Sequence, residues 1–262
     1  MIRRLFNRII NKKKQQEPLV PETSFKGFIK EISPNDSMYQ ADNLYYFYWG
    51  KWALDCVEKT LEKAGKREIN KILDFPCGHG RALRFFKTAF PEATLTACDI
   101  EKDGVDFCAK TFGARGVYSS KNPSELSIEE KFDLIWCGSL LTHLNQHKWR
   151  EFLRFFDKHL KNNGVLIITT HGDCIANSLR KGNEKLGLEK RAIEKLLLDY
   201  QKIGFGYTDY MGQNNYGVSL SQSGWVIEFL KEFSNLQLIE HNPKGWGSKI
   251  FSQDSFALIW KE

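Results

Sequence analysis

Lys71-Ile72-Leu73-Asp74-Phe75-Pro76-Cys77-Gly78-His79-Gly80 is the stretch whose reading decides the fold. A short apolar run closes on an acid, a tight Gly-x-Gly turn follows, and the residues Arg81 to Phe90 predict a helix that Pro91 stops. The glycines let backbone approach a ligand closely, and the first amide groups of a helix face whatever lies at its N-terminus. A dinucleotide fingerprint starting at Gly78 would need Gly or Ala where Leu83 stands, and no Gly-Lys-Ser/Thr is present, so both the dinucleotide loop and the P-loop are disfavoured.

Working outward, Ala93–Cys98 reads as a second strand that ends in Asp99, 25 residues after Asp74. An acid at the carboxyl end of a second strand stands where it accepts hydrogen bonds from ribose hydroxyls, although the same residue would also cap the next helix. Phe132–Cys137 is a continuous apolar run and predicts a buried fourth strand. Trp149, Phe152, Leu153, Phe156 and Leu160 share one helical face, Val165–Thr170 predicts a fifth strand, and Ile193, Leu196, Leu197 and Tyr200 mark a helix closed by Gly204. Leu236–Glu240 and Ser255–Lys261 read as a late strand pair. Strands alternating with helices imply an α/β fold around a mostly parallel sheet.

With Asp74–Gly80 and Asp99 as anchors, residues 68–262 resemble the class I S-adenosylmethionine (SAM) methyltransferases, whose first motif is an acid, an apolar residue and Gly-x-Gly-x-Gly. Pro76 replaces the first of those glycines and fixes φ near about −65°. The resemblance implies a Rossmann-like, seven-stranded, mostly parallel sheet with a terminal antiparallel hairpin and helices on both faces. It implies SAM as cofactor, held by Asp74, Pro76, Cys77, Gly78, Gly80, Arg81, Asp99, Ile100, Cys137, Gly138 and Ser139. Pro34–Met38, Gly138–Leu144, Thr170–Gly172 and Gly204–Tyr207 look like a bacterial branch associated with glycan and secondary-metabolite biosynthesis.

Ligands of open α/β sheets sit beyond the carboxyl ends of the strands. His171 directly follows the fifth strand and His143 lies six residues beyond the fourth, so each is a candidate general base, with a structural role as the alternative. Cys137-Gly138-Ser139-Leu140 replaces the Asn/Asp-Pro-Pro-aromatic motif of nucleobase N-methyltransferases, and one nearby carboxylate, Asp173, is too few for a metal-assisted reaction. No metal is expected. Acceptor contacts are expected in residues 204–217 and 241–254, from Tyr207, Tyr210, Tyr216, Trp246 and Asp254, because flat rings beside polar groups suit a sugar. Tyr45–Trp49 reads as a lid over the site or as a buried helix.

At 262 residues and 42% apolar content, the chain supports one sizeable core, assigned to residues 45–262. Six cysteines without Cys-x-x-Cys spacing suggest a reducing, cytoplasmic compartment. The net charge of +6 lies entirely in residues 1–30, so the body is neutral and no nucleic-acid partner is expected. Residues 1–16 carry Ile2, Leu5, Phe6, Ile9 and Ile10 on one helical stripe flanked by cations, a pattern that suits an anionic membrane surface and equally a helix packed on protein. Residues 17–44 read as a linker or N-terminal extension. The expected function is O-methylation of a sugar, glycan or sugar nucleotide. The alternatives are a small non-sugar acceptor and a non-catalytic SAM-binding partner protein.

Overall fold

A computed structural model describes residues 27–39 and 44–262. The expected membrane-binding segment 1–16 and much of the 17–44 stretch therefore lie outside the described residues. The chain runs α1 (Leu44–Lys63), β1 (Lys71–Asp74), α2 (Leu83–Ala89), β2 (Thr94–Asp99), α3 (Lys102–Phe112), β3 (Arg115–Tyr118), β4 (Phe132–Cys137), α4 (Gln146–His159) and β5 (Leu160–Thr170). It continues through α5 (Asp173–Arg180), α6 (Lys190–Ile203), β6 (Phe205–Asp209), β7 (Gly217–Ser221), α7 (Ser223–Leu230), β8 (Leu236–Gly247) and β9 (Ser252–Trp260).

Seven strands form one sheet in the order β3-β2-β1-β4-β5-β9-β8. The first five are parallel, and β9 enters antiparallel between β5 and β8. The alternating side chains of buried strands serve two cores. Ile72, Leu134, Trp136 and Ile167 face one layer with α1, α2 and α3; Leu73, Ile135, Cys137 and Ile168 face the other with α4 and α7. The expected α/β architecture with its terminal hairpin is the observed one.

Three elements depart from the expectation. β3 is a largely exposed edge strand of four residues, too short and too polar to show in the sequence pattern. Residues 204–217, expected as a loop insertion, are mostly the β6–β7 hairpin, a separate two-stranded sheet. Residues 241–254 are mostly strand as well, because β8 and β9 pair as far as Gly247↔Ser252 and leave a short turn between them.

Residues 27–39 lie against the body. Phe28 stacks on Phe85, with ring centroids 4.8 Å apart. Arg84, with no exposed surface, donates to the carbonyls of Ile29 (2.8 Å), Glu31 (3.0 Å) and Gly80 (3.1 Å). Tyr46 donates to the buried Asp36 (2.6 Å) beside it. A buried guanidinium is tolerated when carbonyls and ring faces satisfy it, and Arg84 lies over the rings of Tyr46, Phe47 and Phe112. No helix among the described residues is long and apolar enough to cross a membrane.

Candidate active site

A cavity of about 430 Å³ opens beyond the carboxyl ends of β1, β2 and β4 and is lined by Gly78, Arg81, Asp99, Ser139, His143 and Tyr210, among others. Its volume falls within the range of small-molecule sites, roughly 300–1,000 Å³. A smaller cleft of about 300 Å³ lies near Glu130 and Trp260, and another of about 200 Å³ lies near Asp55 and Asn242.

The first wall is the loop after β1. Gly78 and Gly80 both have positive φ, +50° and +76°. A Cβ on Gly80 would stand 2.3 Å from the Phe112 ring, whereas one on Gly78 meets nothing within 4 Å and would enter the cavity. Asp99 accepts the amides of Gly78 (2.8 Å) and Glu101 (2.9 Å), which ties the end of β2 to the loop.

Beneath this loop, Asp74 is fully buried and its Oδ2 has no hydrogen-bond partner among the described residues. Burial, and then the Asp99 carboxylate, holds the Asp74 carboxyl well above its usual range, while Arg81 pulls the other way. The Arg81 guanidinium lies over the rings of Trp49 (5.5 Å) and Trp246 (5.8 Å). The thiols of Cys77 and Cys108 both approach the Gly78 carbonyl, at 3.4 and 3.6 Å. Cys77 is held protonated by its contact with Cys108 and by burial, and Cys137 by burial, so neither offers a thiolate nucleophile.

The second wall is the loop after β4. Ser139 has φ +62°, an uncommon backbone state for a residue with a side chain. A closed set of hydrogen bonds holds it there: Ser139 N donates to Thr169 Oγ1 (2.8 Å), Thr169 Oγ1 to Gln253 Oε1 (2.6 Å), and Gln253 Nε2 to Ser139 Oγ (2.7 Å). Gly138 leaves room for Trp136, whose Nε1 would lie 2.8 Å from a Cβ there.

The third wall carries the candidate base. His143 ends a 3-10 turn, Leu141–His143, that lifts its ring into the cavity. Its Nδ1 lies 2.9 Å from the Gly217 carbonyl, which accepts only, so Nδ1 carries the proton and the neutral ring has its basic lone pair on Nε2. Tyr216 stacks on the ring (5.2 Å, 27°), and the Tyr210 hydroxyl approaches Nδ1 at 3.2 Å.

His171 is elsewhere. It is 2% exposed, lies outside the cavity lining, and its ring centroid is 6.5 Å from that of His143. Burial, and then the neighbouring His143, pulls its imidazole down to about 3, against a weak approach of the Ser219 backbone. The two histidines thus divide by depth: His143 faces ligand space and His171 packs behind it.

Of the residues expected to hold cofactor, Pro76, Gly78, Arg81, Asp99, Ile100, Gly138 and Ser139 line the cavity; Asp74, Cys77, Gly80 and Cys137 support it from behind. Of the five expected acceptor contacts, Tyr210 and Tyr216 line it and three do not. Tyr207 spends its hydroxyl on Asp209, which also accepts the Tyr216 amide and braces the hairpin tip. Trp246 is buried, donates to the Trp49 carbonyl (3.0 Å) and packs edge-on against Trp136. Asp254 accepts the Lys244 amide (3.0 Å) and fills the space beside Gly172. Met38, Glu101 and Phe251 line the cavity without having been singled out from sequence. Glu101, two residues beyond Asp99, is the one that an acid-pair search would have found.

Residues 73–166 match the family model described as "Methyltransferase domain". The cavity's glycine loop and strand-two acid, Gly78 and Asp99, both fall inside that matched methyltransferase domain, for which S-adenosyl-L-methionine is the cofactor. In fold the chain is similar to a SAM-dependent methyltransferase from Clostridium acetobutylicum ATCC 824, at 14% identity over 85% of this chain and 94% of that one, with a TM-score of 0.55. It is also similar to the N-methyltransferase NodS from Bradyrhizobium japonicum WM9 in complex with S-adenosylhomocysteine, at 16% identity over 87% and 93%, with a TM-score of 0.53. Among curated proteins, the uncharacterized protein RP028 of Rickettsia prowazekii is 28% identical over 122 residues, which span 44% of this chain and about half (49%) of that protein.

The residues present fit the cofactor. The Arg81 guanidinium suits the carboxylate of the methionine end, Asp99 suits the ribose, and the glycine loop leaves the close approach that side chains would block, while Asp74 stands behind this wall.

Proposed function

We propose that the whole chain methylates a hydroxyl group of a small-molecule or glycan acceptor, with His143 as general base. The observation that carries this reading is the Nδ1 contact of His143 with the Gly217 carbonyl, which makes Nε2 the basic nitrogen of a residue that lines the same cavity as Asp99 and Gly78. SAM supplies an electrophilic methyl group on a sulfonium. Asp99 and the glycine loop would hold the ribose part of the cofactor, and Leu140 and Phe251 add apolar wall to the same cavity. Tyr210 and Tyr216 present ring faces on which a sugar's C–H face would lie. The acceptor proton passes to Nε2 of His143.

General bases contribute roughly 10²–10⁴-fold. Incubation with methyl-labelled SAM and a panel of sugar nucleotides, glycosides and non-sugar phenols tests acceptor class. His143→Ala is expected to bind S-adenosylhomocysteine normally and to lose at least about 100-fold in kcat. Full turnover in that variant removes the base assignment, and no labelled product from any acceptor favours a non-catalytic binding role. Action in the cytoplasm, with residues 1–16 on an anionic membrane face, belongs to the same reading. Flotation of the full chain with anionic liposomes should weaken with salt, and failure to float at low salt refutes it.

A further inference from the structure

Pro34-Asn35-Asp36-Ser37-Met38 stands outside the matched domain, yet it reaches the cavity: Met38 lines it together with Gly78 and Asp99. Asp36 sets the shape of this segment. Its carboxylate accepts the Met38 amide (2.9 Å) and the Tyr46 hydroxyl (2.6 Å), and its carbonyl accepts the Tyr39 amide (3.1 Å). Side chains then fasten the segment to the wall that carries Asp99. Asn35 Nδ2 donates to Asp103 Oδ1 (3.1 Å) in the first turn of α3. His79, between Gly78 and Gly80, reaches both acids: its Nε2 lies 2.8 Å from Asp103 Oδ2 and its Nδ1 3.9 Å from Asp36 Oδ1. The ring is buried, and a buried polar ring is costly unless it is bonded. The His79 contact, and then Asn35, holds the Asp103 carboxyl below its usual range.

We infer that Met38 is a cofactor contact and that His79 is its positioning residue, binding Pro34–Met38 to the glycine loop. The inference rests on the cofactor alone and holds for any acceptor. The fastenings decide for the cofactor side: they go to the glycine loop and to α3, whereas His143, Tyr210 and Tyr216 belong to the β4 loop and the β6–β7 hairpin. Side-chain bonds, not a sheet ladder, hold the segment to the loop, so the two can part. Linkage then requires that whatever factor the segment adds to cofactor affinity, the cofactor adds to the closure of the segment.

The test titrates S-adenosylhomocysteine into the full-length protein and its variants by calorimetry, and follows hydrogen exchange across residues 33–39 with and without it. A methionine fully buried against a ligand is worth about 10- to 140-fold in affinity, so a half-covered one predicts a loss of about three- to twelvefold in Met38→Ala. Asp103→Ala, at an exposed position outside the cavity lining, should lose a similar factor. His79→Phe, which keeps a ring without its N–H, should do the same. Adding Met38→Ala to either should cost nothing further, because both act through one contact. Asp103→Asn keeps an oxygen for Nε2 and should bind like the parent. In the parent, S-adenosylhomocysteine should slow exchange at the Met38 and Tyr39 amides by at least about fivefold. Losses that multiply in the double variants overturn the inference. Full affinity in His79→Phe, or exchange unchanged by the ligand, also overturns it. No S-adenosylhomocysteine binding by the parent would instead remove the cofactor assignment.

Discussion

Gly78 and Gly80 are two residues apart in one loop, share positive φ, and should respond oppositely to the same substitution. Gly80→Ala places a Cβ 2.3 Å from the Phe112 ring and 3.1 Å from the Cys108 sulfur, and neither neighbour is the loose end of an exposed chain. Left-handed backbone costs an alanine about 1–2 kcal/mol, and overpacking a core adds about 1–3 kcal/mol. The sum is about 2–5 kcal/mol, which for a chain of this size lowers Tm by roughly 4–10 °C at about 2 °C per kcal/mol. Gly78→Ala incurs the backbone cost alone, because its Cβ meets nothing within 4 Å, so Tm should fall by only about 2–4 °C. Its methyl group instead occupies cofactor space, and an overlap of about 1–3 kcal/mol weakens binding by about 5- to 150-fold. Thermal melts and calorimetric titration with S-adenosylhomocysteine read the two effects separately. Equal melting losses in the two variants, or undiminished affinity in Gly78→Ala, would refute the division of this loop into a packed and a ligand-facing glycine.

Other outcomes follow from the same contacts. His171 titrates near 3 when folded and near about 6.5 when unfolded, so between those values the unfolded chain binds the extra proton and stability falls as pH falls. Denaturant melts at pH 7 and pH 5 should differ by about 2 kcal/mol from this residue, and His171→Leu should lessen the acid loss; an unchanged acid loss contradicts the buried neutral assignment. Arg84→Ala takes the side-chain donor from the Ile29 and Glu31 carbonyls, while the Gly80 carbonyl keeps the Arg84 backbone amide, and should destabilise by about 3 kcal/mol, with faster proteolytic cleavage in residues 27–39; protection equal to the parent chain refutes the clamp. Asp99→Asn turns an amide N–H toward a backbone N–H at one of its two partners and should weaken S-adenosylhomocysteine binding by at least about tenfold in calorimetry.

The central strands were legible because each is an apolar run closed by an acid or a glycine, and burial on both faces demands such runs. Asp99 and the glycine loop were legible because chain direction alone puts strand ends and helix starts at one edge of a parallel sheet. Depth was not legible. His171 follows its strand directly, yet the Ser221 amide binds its carbonyl (2.9 Å) and the β6–β7 sheet covers it. His143 stands farther along the chain, and a single 3-10 turn carries it to the surface of the cavity. Trp246 and Asp254 were misplaced for a related reason: their surroundings come from Trp49, Trp136 and Gly172, contacts that span from tens of residues to nearly 200 and leave no local pattern. Tyr210 and Tyr216 were found because aromatic rings in a Gly/Asn-rich turn are a local signal.

The bond from Gln253 to Ser139 joins residues 114 positions apart, and β9, which carries Gln253, fills the slot between β5 and β8. During synthesis at roughly 5–20 residues per second, that interval lasts on the order of 6–23 s. Throughout it the Ser139 loop lacks its latch, and once Thr170 has been added the β5 edge stays unpaired until β9 follows, although the glycine loop and Asp99 have already emerged. The nascent chain therefore holds one half of a cofactor site beside an open sheet edge, the state in which strands pair with wrong partners.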